Sequence, residues 1–155
     1  MKKDDVERAM KMIEATNDPE KLRQIANNAR RLGQPEIALA ADLKRYAILP
    51  SEKPGTLAYD VWKSIFALED SLSTERSKTT RLNRTRPKIK KVGELEAIKS
   101  LIMKPKPSEG FFMLIERGLP ELTFEAVALR HPEQFDEAVL AAARTRLQET
   151  GISVT

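Results

Sequence analysis

Val6, Ala9, Met10 and Ile13 recur at helical spacing, and they predict a first amphipathic helix from about Asp4 to Ala15. "NDPEK" restarts the chain: Asp18 is a candidate N-cap, and Pro19 suits the first helical position, where its missing N–H costs nothing. Leu22, Ile25, Ala26 and Ala29 then form the apolar face of a second helix, which Gly33 stops. Ile37, Ala38, Ala41 and Leu43 place a third helix from Pro35 to about Ile48, closed by Pro50 in "LPSEKPGT". The most regular stripe is "TLAYDVWKSIFALEDSL". Ala58, Val61, Trp62, Ile65, Leu68 and Leu72 share one face behind Thr56 as cap, so this is the expected central helix.

Leu22, Ile25, Ala26, Ala29, Gly33, Ala38 and Pro50 are spaced in a way that resembles one tetratricopeptide-type helical hairpin, covering residues 19–50. The resemblance implies two antiparallel helices brought close by small residues and, more remotely, a concave surface that grips a peptide. Further along, "GELEAIKSLIMK" predicts a short helix burying Leu95, Ile98, Leu101 and Ile102. Ser108 opens another helix, running through Phe112 and Ile115 to Gly118. Thr123 caps "FEAVALR" ahead of Pro132, and Asp136 caps a last helix with Val139, Leu140, Ala143 and Leu147 inward. No segment alternates as a strand would. The expected fold is all-α, with seven to nine short helices around one core over residues 1–155, as a bundle or as a solenoid-like stack of hairpins.

Composition narrows the chemistry. The 155 residues contain no cysteine, which removes disulfides, thiolate metal sites and cysteine nucleophiles and makes the cytoplasm the expected compartment. No apolar run is long enough for a signal or a bilayer span, so no membrane partner is expected. His131 is the only histidine, and its place before Pro132 suggests a helix-capping role. Alone it supports neither a zinc site nor a hydrolase triad. The scattered glycines build no phosphate-cradling loop, and Glu94, Glu96 and Lys99 lack the strand context of a nuclease core. No enzymatic activity, cofactor or metal is expected. Trp62 and Phe66, one turn apart, together with Phe111, Phe112 and Phe124, are expected to pack in the core.

The charge distribution carries the functional signal. Residues 1–75 hold 12 basic and 13 acidic groups, residues 107–155 hold 4 and 8, and residues 76–106 hold 11 against 2. Within that stretch "RSKTTRLNRTRPKIKKVG" sets Arg76, Lys78, Arg81, Arg84, Arg86, Lys88, Lys90 and Lys91 in a row without a carboxylate. Like charges at this density repel and cost folding free energy, which phosphates would relieve. If the segment is helical, Leu82, Thr85, Ile89 and Val92 form a narrow docking seam. Arg81, Arg84, Lys88 and Lys91 then flank it on one side, Arg86 and Lys90 on the other. Pro87 is expected to kink or split that helix near Arg86.

Ser77, Thr79, Thr80, Asn83 and Thr85 add groups suited to phosphate oxygens, and Asn83 and Arg84 are candidates to read base edges in a major groove. With no aromatic residue between Phe66 and Phe111 to stack a base, duplex DNA is favoured over RNA and single strands. The expected function is therefore non-enzymatic nucleic-acid binding through Arg76, Lys78, Arg81, Asn83, Arg84, Arg86, Lys88, Lys90 and Lys91. The competing expectations are a helical adaptor that grips a protein partner and an accessory subunit of a DNA-processing system. A plain solvated or self-paired basic linker is the alternative that needs no ligand.

Overall fold

A computed structural model describes residues 2–152. Among the described residues the chain forms eight α-helices and two single 3-10 turns, with no strand. The helices are α1 (Lys3–Ala15), α2 (Pro19–Arg31), α3 (Pro35–Ile48), α4 (Leu57–Arg76), α5 (Thr85–Ile102), α6 (Glu109–Glu116), α7 (Phe124–Arg130) and α8 (Glu137–Glu149). The all-α class expected from the periodicity is what the chain adopts. Its helices cluster as two compact units that divide after Ser51.

In the first unit α3 packs on both α2 and α1. Asp18 caps α2 by accepting the Glu20 N–H at 3.0 Å, with Pro19 in the first turn, and Gly33 ends the α2–α3 turn at a φ of 71°. Small side chains let the helices approach: Ala26, Ala29, Ala38 and Ala41 are buried together with Ile13, Leu22 and Ile37. Leu43, expected inside, is only half-buried, while Asp42, Arg45 and Tyr46 are interior. Asp42 is tolerated there because Arg30 donates to it at 2.8 Å and Arg45 at 3.1 Å.

In the second unit α4 is the shared wall, packed on by α5, α6, α7 and the turn Pro120–Leu122. Val61, Ile65, Leu68 and Leu72 face inward as their spacing requires. Ile98 and Ile102 of α5 are likewise buried, whereas Leu95 and Leu101 are half-buried. Each start signal works as a cap: Thr56, Ser108, Thr123 and Asp136 accept the N–H of Tyr59, Phe111, Ala126 and Val139. α8 closes the unit on α7 and α5, and a buried charge pair fastens the joint. Arg146 donates to Glu125 at 2.8 Å and to the Leu101 carbonyl at 3.1 Å, and it also reaches the Lys104 carbonyl. One guanidinium thus ties α8 to α7 and to the end of α5.

Arg146→Ala strands the Glu125 charge and two carbonyls, and it is expected to cost about 3–5 kcal/mol of unfolding free energy. Urea unfolding followed by circular dichroism measures this; a loss below about 1 kcal/mol contradicts the assigned joint.

Candidate functional site

The basic segment takes its shape from two side chains on α4. Glu69 and Ser73 stand one helical turn apart, hence on the same face. α4 ends at Ser77, whose φ of 54° is left-handed, and the Lys78 N–H turns back to the Ser73 carbonyl at 3.2 Å. Ser73 Oγ then accepts the Thr80 N–H at 2.8 Å. One turn earlier the Glu69 carboxylate accepts the Leu82 N–H at 2.9 Å, Arg86 Nε at 2.6 Å and an Arg86 terminal nitrogen at 2.7 Å. Residues 78–84 are thereby laid back along α4 before α5 begins.

Arg86 is consequently a structural anchor. Its guanidinium is doubly hydrogen-bonded to Glu69 and lies 5.1 Å from the Trp62 ring centroid and 5.7 Å from that of Phe66. The hydrogen bond to Glu69 pushes its pKa above the ordinary arginine value, against a smaller opposing effect of burial. The Trp62 indole N–H donates to Glu94 at 3.3 Å. Trp62 and Phe66, expected in the core, are half-buried and serve as the platform on which Arg86 rests.

The continuous helix considered for residues 76–92 is not formed. Arg76 closes α4, Lys78, Arg81, Asn83 and Arg84 belong to the connection, and only Arg86, Lys88, Lys90 and Lys91 lie on α5. Pro87 does not kink the helix because it falls in the first turn, where its absent N–H has no intrahelical partner to lose. The break comes at Gly93, whose φ of 88° and ψ of 168° are non-helical, so "GELEAIKSLI" starts afresh there as its periodicity predicts. Of the seam, Ile89 is buried, Leu82 and Thr85 are half-buried, and Val92 is exposed.

The eight cations separate into two groups. Arg86 pairs with Glu69, and Arg76 pairs with Glu109 at 3.5 Å on the exposed surface. Lys78, Arg81, Arg84, Lys88, Lys90 and Lys91 are exposed and make no ion pair among the described residues. Lys88 Nζ donates to Ser100 Oγ at 2.7 Å. Arg81, Asn83 and Arg84 line an open groove of about 540 Å³ whose lining also includes Leu68, Leu72 and Phe124. Lys104, outside the candidate set, joins them there. Phe124 is remote from the basic segment along the chain and is delivered by α7, which packs on both α4 and α5.

The other candidates resolve as structure. His131 does sit at the C-cap of α7, but its ring caps no carbonyl; Nε2 lies 2.7 Å from Asp60 Oδ2 on α4. Phe111 and Phe124 are buried, whereas Phe112 is 48% exposed. Among the described residues no three carboxylate or histidine side chains gather as a metal site, and no helix is long and apolar enough to cross a membrane. Searches against protein-family models, curated proteins and solved structures each found no match to this chain.

Glu69→Ala removes three hydrogen bonds that hold residues 82 and 86 and is expected to destabilise the fold by on the order of 2–3 kcal/mol. It should also change the native emission of Trp62, the only tryptophan, as the Arg86 guanidinium leaves its ring. Unchanged emission and stability contradict the anchoring role.

Proposed function

We propose that this chain binds nucleic acid, with duplex DNA as the preferred form, by neutralising phosphates with Lys78, Arg81, Arg84, Lys88, Lys90 and Lys91, and that it does so without catalysing a reaction. The observation that carries this reading is a difference between neighbours. Glu69 pairs with Arg86, and Glu109 with Arg76, yet the six cations between and beyond them stand in solvent without a carboxylate. Cations that served only to stabilise the fold would be expected beside the protein's own anions, of which the residues after 106 have eight. Leaving six unneutralised within 14 residues costs self-repulsion that a polyanion removes.

Binding of this kind draws its free energy from counterion release, and arginine adds bidentate contact to phosphate oxygens. Asn83 and Arg84 do not lie on a helix that enters a major groove, since both precede the first turn of α5. The helix cations position the backbone, and base contacts belong to the connection.

With about five phosphates engaged, the plot of log affinity for duplex DNA against log salt should have a slope of about −4 to −5. Arg81→Glu combined with Arg84→Glu should abolish binding while helical circular dichroism persists. A flat salt dependence, or capture of a protein partner that survives nuclease treatment and both reversals, rejects the reading in favour of an adaptor.

A further inference from the structure

The groove beside Arg81, Asn83 and Arg84 gives the proposed interface a second element that phosphate neutralisation does not use. Its apolar floor draws on lining residues from three elements and the connection: Leu68 and Leu72 of α4, Leu82 of the connection, Leu101 of α5 and Phe124 of α7. Arg81, Arg84 and Lys104 line it as cations, and the carboxylate among its lining residues, Glu109, already faces Arg76. The volume of about 540 Å³ lies within the roughly 300–1,000 Å³ typical of clefts for small organic groups.

From this geometry we infer that the groove receives one unpaired nucleotide of the bound nucleic acid, its base against the apolar floor and its phosphates on Arg81 and Arg84. The inference rests on the nucleic-acid reading above and narrows it: the favoured ligand is a duplex interrupted by an unstacked base.

Three features select this occupant. The cationic lining matches the phosphates on either side of a nucleotide, and planar guanidinium groups contact them bidentately. Asn83 is exposed and its amide both donates and accepts, as recognition of a base edge requires. Leu68, Leu72 and Phe124 are each under a tenth exposed, so the floor offers far less apolar surface than the roughly 800 Å² per partner of a stable protein interface. A single ring needs only a small patch, and a base already lacking a partner pays least to leave the stack.

Fluorescence anisotropy on the full chain distinguishes the possibilities with two duplexes of one sequence, one fully paired and one carrying a single unpaired adenine. The interrupted duplex is expected to bind roughly fivefold to tenfold more tightly. Thr80→Phe, which fills the groove from its lining, is the test variant. Loss of the preference in this variant, with affinity for the paired duplex changed less than about twofold, supports the assignment. Equal affinity of the native chain for the two duplexes, with a steep salt slope retained, overturns the groove's role and leaves phosphate binding standing. A preference that survives Thr80→Phe also overturns it, because duplex flexibility would then be the source. Absence of binding to either duplex removes the nucleic-acid reading and this inference with it.

Discussion

A single carboxylate sets the form of the whole basic region. Glu69 is 8% exposed, and a carboxylate buried to that degree needs compensating donors. It has three, one from the backbone of Leu82 and two from Arg86, all presented by the segment that follows α4. Because α4 is the wall on which α5, α6 and α7 pack, the segment is referenced to the element that organises its unit. Trp62 and Phe66 precede Glu69 on neighbouring turns of the same helix and supply π faces to the same guanidinium, so charge and aromatic contact converge on Arg86.

This anchoring decides which cations remain exposed. A charge that is doubly hydrogen-bonded and laid on aromatic rings has little left to offer a phosphate, whereas lysines and arginines in water keep their donors. The segment therefore combines one anchored guanidinium with a set of outward cations, and the first allows the second. Without a fixed attachment, mutual repulsion would favour an extended, mobile stretch. With it, Arg81, Asn83 and Arg84 hold fixed places beside a groove lined by residues of α4 and α7.

Local signals in the sequence carry most of the helix boundaries. Asp18, Thr56, Ser108, Thr123 and Asp136 each cap a helix, because a short oxygen-bearing side chain before an apolar stripe has one strongly favoured use. Pro87 is ambiguous in the sequence for a physical reason: proline breaks a helix interior but suits a first turn, and the start of α5 depends on Glu69 capturing Leu82 and Arg86 from 13 and 17 residues away. Long-range partners are equally hidden. Nothing near His131 in the chain announces Asp60, 71 positions earlier, and nothing near Arg81 announces Phe124. The charge run itself is legible, while its division into anchored and exposed members is not.

The division also gives the exposed cations a geometry. From Arg84 at the N-cap of α5, Lys88 and Lys91 follow at i+4 and i+7 and share a face, whereas Lys90 lies on another. At 1.5 Å per residue that row is about 10 Å long. Arg81 and Lys78 continue the positive charge onto the connection, where the chain is no longer helical. A straight row suits a regular backbone, and a non-helical continuation beside a groove suits a place where that backbone departs from regularity. The same attachment to Glu69 that ends one geometry begins the other, so the position of Arg86 sets where along the segment the change occurs.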